Sequence, residues 1–488
     1  MLFNSHIFIF IFLPIAFFLY FYLNKIRLVR VSKLWMVFAS LFFYSWWNIY
    51  YLPLILASIS INYFVARKMI EHKNSKFEWL SKTHLFKIGL AFNIGLLVYF
   101  KYMDFFITNT NELIGAQLGL LHLALPLAIS FFTLQQIAFL VDTNEGLVKK
   151  INLVDYSIFV TFFPQLIAGP IVHHKEMMPQ FADAKNKLIN YENVSKGLFI
   201  FSIGLFKKVV IADTFAVWAT TGFDSAESLN LFAAWATSLS YTFQLYFDFS
   251  GYTDMAIGLA LLFNIRLPIN FNSPYKATGM IDFWKRWHIT LTNFITTYIY
   301  TPILRSFNVL TFNKAMIATL ITFLISGLWH GASWMFVIFG GLNGLGIIIN
   351  HYWKKNAKLK LNKYLGWFIT FNYVNITFVF FRAREVDDAL KVLSSMFSLS
   401  NVVLPSFLAS RIEIANVKFG GLVTSIHGDG YTPIWLVLGF VFVLGLKNSI
   451  ERLELFRPNV AHSIFFVFIL GYALLSMNNM TEFLYFQF

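Results

Sequence analysis

Apolar residues run through this chain in long blocks separated by short polar and basic stretches. They fall near residues 5–23, 34–47, 51–66, 86–107, 119–140, 155–172, 195–219, 230–262, 283–305, 314–350, 364–381, 433–447 and 461–478. Blocks of this length suit tilted membrane spans or half-spans. The pattern predicts an all-α polytopic membrane protein of about eleven or more transmembrane helices plus re-entrant segments. The 34–66 stretch divides at Asn48–Pro53 into a tight hairpin. Asp248, Ser250, Gly251 and Asp254 interrupt the 230–262 block, which predicts a broken helix facing protein or water. Two prolines and a glycine inside Phe162–Pro170 rule out a regular span there and predict a re-entrant segment buried in protein. One membrane-embedded domain is expected over 1–488, with N-terminal helices to 120, a core over 121–381, and C-terminal helices over 382–488 that end in an external aromatic tail. Met1–Leu23 lacks a basic n-region and a small-residue cleavage site, so it is expected to be a retained first span and not a signal peptide.

Composition agrees with the pattern. The chain has 488 residues, of which 58% are hydrophobic, 19% aromatic and only 13% charged, more apolar surface than a soluble protein can cover. It has no cysteine, which excludes thiolate nucleophiles, disulfides, iron–sulfur clusters and cysteine-type zinc sites within the chain. The net charge of +14 points to loop topology and anionic membrane lipid, and no basic run interleaves with exposed aromatics as a nucleic-acid site would need. Three strong basic clusters occur: Lys25, Arg27, Arg30 and Lys33; Arg67, Lys68, Lys73, Lys76, Lys82 and Lys87; and Lys354, Lys355, Lys358, Lys360 and Lys363. Lys447, Arg452 and Arg457 form a weaker fourth. The positive-inside rule puts these in the cytoplasm and leaves both termini on the external face.

Few ionisable residues lie deep in the apolar blocks, and those mark candidate chemistry. His330, in Ser326-Gly327-Leu328-Trp329-His330-Gly331, is an imidazole between glycines and indoles, costly to hold in hydrocarbon without a purpose. Its ordinary pKa suits it to take a proton from an attacking hydroxyl. His288, in Trp284-Lys285-Arg286-Trp287-His288, fits a catalytic role and an interfacial anchor about equally. No HExxH or paired-carboxylate spacing accompanies either histidine and no GxSxG elbow occurs, so no metal and no hydrolase triad is expected. His173 and His174 are expected to be solvated at the membrane surface, and Asp248 and Asp254 to pair with Arg266, Lys285 or Arg286. The final Phe483-Leu484-Tyr485-Phe486-Gln487-Phe488 is unusually apolar for a tail unless it docks into a groove, and Tyr485 is its one nucleophile. A proton-coupled transporter of a polysaccharide precursor, with His330 as gate, is the rival reading, and a non-catalytic membrane scaffold is a third.

Five motifs in fixed order, Phe162–Pro170, Tyr246–Gly258, Asn270–Tyr275, Phe283–Thr290 and Gly327–Ala332, followed by Phe380–Ala383, resemble the membrane-bound O-acyltransferase family. The likeness covers about Leu125 to Phe381 and is nearest the bacterial branch that exports acetyl groups for alginate or peptidoglycan O-acetylation, with the teichoic acid D-alanyl transferase as a relative. The resemblance implies a ring of tilted helices around a central funnel, in the bacterial cytoplasmic (inner) membrane. It implies acetyl-CoA as cytoplasmic donor, His330 as the essential histidine, His288 as a second polar site, and Gln165, Asn270, Trp287 and Trp329 as substrate-contacting residues. Tyr485 would receive the acetyl group and pass it to the serine of an extracytoplasmic SGNH-type O-acetyltransferase partner acting on a cell-wall polysaccharide. The chain departs from the family in having Lys285 where arginine is common and Thr290 where serine is common.

Overall fold

The computed structural model describes residues 1–71, 81–357, 361–406, 409, 418–477, 481 and 483–484. Lys73, Lys76, Lys358, Lys360 and Tyr485 lie outside these residues. The chain is mostly helical. Among the described residues six helices are long and apolar enough to cross a membrane: Phe8–Lys25, Ile49–Glu71, Lys82–Ile114, Phe312–His330, Trp334–Asn356 and Lys363–Arg382. Shorter apolar helices accompany them, and among the described residues one small parallel strand pair, Val403–Pro405 with Lys418–Gly420, departs from the helical pattern.

Two compact units are present. The first comprises Met1–Leu205, Tyr252–Ile269 and the described residues after Leu455. Its helices carry buried amides and hydroxyls that answer one another. Asn62 and Asn93 exchange hydrogen bonds of 3.2 and 2.6 Å, and Gln136 donates to Ser58 at 2.9 Å while accepting from Tyr156 at 3.0 Å. Lipid offers no competing partner for such groups, so they act as interhelical ties. As the sequence pattern predicts, the chain turns at Asn48, whose side chain accepts from Tyr50 N, between the helices Val29–Ser45 and Leu52–Glu71. Phe162–Pro170 is also irregular as predicted: one short helix, Phe163–Leu166, leads into a turn, and every residue is buried. Its backbone is held by side chains, with Phe163 N donating to Ser40 Oγ at 3.1 Å.

The second unit comprises Phe206–Gly251 and Asn270–Leu455. Its helices are tied by Thr242 donating to Asn375 Oδ1 at 2.7 Å, Asn375 donating to Ser238 at 2.9 Å, and Tyr275 donating to the Thr242 carbonyl at 2.6 Å. The 314–350 block folds back as the hairpin Phe312–His330 and Trp334–Asn356.

The expected break in the 230–262 block does not occur. Leu231–Leu262 is one uninterrupted helix of 32 residues. The reason is a partner supplied from elsewhere: Lys208 Nζ sits 2.8 Å from Asp248 and 2.9 Å from Asp213, with the Lys208 and Asp248 side chains only 3% exposed. Neutralised this way, the carboxylate needs neither water nor a helix break. Asp248 thus pairs with Lys208, not with Arg266, Lys285 or Arg286. Six helical residues turn through well over half a circle, so Asp254 cannot share that face, and it belongs to the first unit.

Truncating Lys208 to alanine leaves the buried Asp248 and the half-buried Asp213 without their shared cation. Removing one partner of a buried ion pair costs about 3–5 kcal/mol. A thermal-unfolding midpoint in detergent unchanged by Lys208→Ala would show that the pair does not hold the helix.

Candidate active site

Both marked histidines are buried in the second unit. His330 is the last residue of the helix Phe312–His330. The chain then extends through Gly331, and Ser333 caps the next helix by accepting from Met335 N at 3.2 Å. A side chain on Gly331 would overlap the Phe336 ring, so glycine here lets the hairpin close beside the imidazole. The two arms meet at Gly327 and Gly340, whose Cα atoms face each other, and a Cβ at either would strike the backbone carbonyl of Phe336 or Phe323. Close approach through small residues is how membrane helices gain packing without a hydrophobic driving force.

Aromatic rings fix the His330 imidazole. Trp329 lies 4.9 Å away at 67°, Phe381 5.2 Å away at 76° and Phe339 6.1 Å away at 84°. Edge-to-face packing of this kind excludes water and restricts the ring's rotation.

His288 is held by a different device. Its φ of +44° is left-handed, a conformation that a non-glycine residue keeps only where its surroundings impose it. It follows Trp287 and precedes the helix Ile289–Ile295. Asn270 imposes the turn: its carbonyl accepts Ile289 N at 3.0 Å, and its Oδ1 accepts Thr290 N at 3.2 Å and Thr290 Oγ1 at 2.6 Å. His288 Nδ1 lies 3.3 Å from the same oxygen. An amide oxygen can only accept, so in the neutral ring Nδ1 carries the proton and Nε2 presents its lone pair. Phe249 packs edge-on against this ring at 4.8 Å.

The structure thus brings His288, Asn270 and Trp287 together. Trp287 stacks on Phe283 at 5.6 Å and touches Phe378 at 5.2 Å, and Phe378 leads through Phe339 and Phe381 to His330 and Trp329. The interfacial-anchor reading of this segment fails for its indoles: Trp284 and Trp287 are core residues, and only Lys285 is exposed. Gln165 belongs to the first unit, where its Nε2 donates to the Phe159 carbonyl at 2.9 Å. His173 and His174 are half-buried, only partly open to solvent. His174 packs against Phe139 and Phe159 at 5.0 and 5.4 Å, and burial pushes its pKa below the ordinary value.

A cavity of about 500 Å³ opens in the second unit between Trp284–Tyr300 and the hairpin. Lys285, Thr296, Tyr300 and His351 line it together with Thr319, Thr322 and Ser326. These last three fall on one face of the His330 helix, and the next position on that face is His330. Thr319 and Thr322 spend their protons on the carbonyls of Ala315 and Ala318, which leaves oxygen lone pairs toward the cavity. Among the described residues no three histidines or carboxylates group as metal ligands.

In the first unit the residues just before Tyr485 are docked. Phe483 and Leu484 are buried, Tyr252 meets the Phe483 ring at 4.6 Å and 86°, and Asn4 Nδ2 donates to the Thr481 carbonyl at 3.3 Å. Tyr485, the next residue but one after Phe483, is outside the described residues.

Sequence reasoning missed the Lys207–Lys208 cluster, although two adjacent lysines in an apolar block were themselves a signal. Beside Lys208, Lys207 Nζ reaches Ser449 Oγ at 3.1 Å.

A multi-pass helical membrane protein with a deeply buried histidine at a hairpin tip, one helical turn beyond the residues that line a cavity between helices, is the class that fold and site define. Comparison with known proteins makes this specific. The model of the MBOAT, membrane-bound O-acyltransferase family, matches residues 42–383. The chain is 45% identical to a peptidoglycan O-acetyltransferase of Helicobacter pylori, over 100% of this chain and 98% of that one. It is 34% identical to a probable alginate O-acetylase of Azotobacter vinelandii, over 88% of this chain and 85% of the relative. A teichoic acid D-alanyltransferase of Streptococcus thermophilus shares 27% identity over 52% of this chain and 68% of its own. The chain belongs to the membrane-bound O-acyltransferase family, and it is an acyltransferase. The resemblance carried by the five motifs is borne out.

The glycine contact supplies a test with its own control. Gly340→Ala puts a methyl group into the Phe323 carbonyl and is expected to cost about 1–3 kcal/mol or more, as overpacking does. At Gly341 the added carbon meets only Leu324 Cδ2 at 3.6 Å, an ordinary contact, so Gly341→Ala should melt like wild type. Equal melting of the two variants would show that the arms do not meet where described.

Proposed function

We propose that this enzyme moves an acetyl group from cytoplasmic acetyl-CoA across the bacterial cytoplasmic membrane for O-acetylation of a cell-wall polysaccharide. Peptidoglycan is the favoured final acceptor, because the identity to the peptidoglycan enzyme is 45%, whereas that to the alginate enzymes is 32–34%. Acetyl-CoA is cytoplasmic and the wall is outside, so the barrier to be crossed is the cytoplasmic membrane. The observation that carries the reading is the placement of His330 next in line on the helix face whose Thr319, Thr322 and Ser326 line the cavity. The cluster of Lys354, Lys355 and Lys363 puts the base of the hairpin on the cytoplasmic side, where the donor is.

In the proposed step His330 takes the proton of the Tyr485 hydroxyl as its oxygen attacks the thioester carbonyl. The carbon–sulfur bond breaks, and the departing thiolate recovers the proton from the imidazolium, so no net proton is consumed. His288 orients the donor; with its Nδ1 proton on Asn270, its Nε2 is suited to accept a hydrogen bond. Trp287, Trp329, Asn270 and Gln165 shape the substrate path. The acetyl ester of a phenol is activated, since a phenol of pKa about 10 is a better leaving group than an alcohol. A serine of an extracytoplasmic SGNH-type transferase then takes the acetyl group and delivers it to the glycan. Docking of Phe483 and Leu484 supports the tail as a built part of the enzyme, in place of a loose terminus.

The purified protein incubated with labelled acetyl-CoA should gain one acetyl group on its C-terminal peptide, read by mass spectrometry. His330→Ala should lower the rate by about 10²–10⁴-fold, the usual contribution of a general base, and Tyr485→Phe should abolish the label. An unlabelled tail in folded wild-type protein that still releases CoA thiol would remove the tyrosine relay and leave direct transfer.

A further inference from the structure

The Phe381 ring lies 5.2 Å from the His330 imidazole, and Phe381 stands one residue from the end of the helix Lys363–Arg382. A helix end frays unless something holds it. Here the last residue is the holder. Arg382 Nη1 and Nη2 donate to the two oxygens of Asp224 at 3.1 and 2.6 Å, a fork-on-fork pair with side chains 14% and 19% exposed. The guanidinium also lies over the Phe223 ring at 5.3 Å. Two further bonds fix the same wall: Lys391 Nζ donates to the carbonyls of Phe223 and Ala226 at 2.9 and 3.0 Å. Arg384 approaches Asp224 only to 3.6 Å and is 74% exposed at its side chain, so it contributes little.

We propose that Arg382 and Asp224 are positioning residues for the acyl-transfer reaction, acting through Phe381 on the His330 imidazole. The bidentate pair sets the position and rotation of the final helical turn. That turn presses Phe381 against His330 at 5.2 Å, against Phe336 at 5.2 Å and against Phe339 at 4.8 Å. Phe381 therefore wedges between the imidazole and the second arm of the hairpin, and the direction of the imidazole depends on an ion pair it never touches. Bidentate geometry matters because a single hydrogen bond would let the helix end rotate about it, whereas two parallel bonds do not. The proposal rests on the reading of His330 as the base.

The test measures kcat and KM for thiol release from acetyl-CoA, per folded molecule, in Arg382→Gln, Asp224→Asn, the double variant, and each single variant combined with His330→Ala. A base displaced by a fraction of an ångström to one ångström loses about 10- to 100-fold. Loss of that size is expected in kcat for both single variants, with KM for acetyl-CoA unchanged. The double variant should be no worse than the poorer single one, because one interaction is removed in either case. Neither change should lower the residual rate of His330→Ala, since there is then no imidazole to misplace. Wild-type kcat in either folded single variant overturns the proposal, as does a loss that multiplies with that of His330→Ala. Should Arg382→Gln fail to fold, the near-isosteric Asp224→Asn carries the same comparison. Wild-type kcat in His330→Ala instead overturns the base reading itself, a result distinct from the others.

Discussion

Hydrocarbon neither donates nor accepts a hydrogen bond, so every polar group placed in it must be answered by the chain itself. This constraint organises both units. Asn62 answers Asn93, Asn375 answers Thr242 and Ser238, and Tyr275 reaches the Thr242 carbonyl. Lys208, at 3% exposure, is held between two aspartates. The same rule makes Asn270 take three donors on one side-chain oxygen, since Thr290 N, Thr290 Oγ1 and His288 Nδ1 have no water to turn to. A site built under this rule is stiff, because moving one member leaves others with nothing to bond.

Stiffness is useful where a neutral imidazole must point in one direction. His330 obtains it from packing and His288 from hydrogen bonding. Around His330 the rings of Trp329, Phe339 and Phe381 leave little freedom, and the glycines at 327, 331 and 340 allow those rings close enough to matter. Around His288 a left-handed backbone and a single amide oxygen choose the tautomer. The two devices differ: packed rings restrict how the His330 imidazole can turn, whereas the bonded His288 nitrogen defines what its opposite can do.

Features set by neighbours in sequence were legible from the sequence. The turn at Asn48, the irregular chain at Phe162–Pro170 and the burial of His330 follow from prolines, glycines and apolar spacing within a few residues. What was not legible depended on partners far away. Asp248 looked like a helix breaker because Lys208, forty residues earlier, could not be placed beside it. Trp284 and Trp287 looked like membrane-surface anchors because two cations lie between them, yet Asn343 and Phe378, distant in the chain, draw both indoles inward. Asp224 showed no sign of its tie to Arg382, 158 positions on. In each case the local pattern was correct about what the residue needs and silent about who supplies it.

The aromatic content of the site bears on a choice any acyltransferase must make. A thioester held beside a general base is as open to water as to a hydroxyl, and water is far more abundant. Selectivity for transfer over hydrolysis therefore requires that water be kept out until the intended nucleophile is in place. The rings around His330, which is only 6% exposed, do this from within the fold. On the proposed reading, the apolar tail contributes to it as well. A tyrosine flanked by phenylalanine and leucine brings its own hydrophobic cover, so the nucleophile that arrives also closes the route by which water would compete. That offers a physical reason for placing the nucleophilic phenol on an apolar tail.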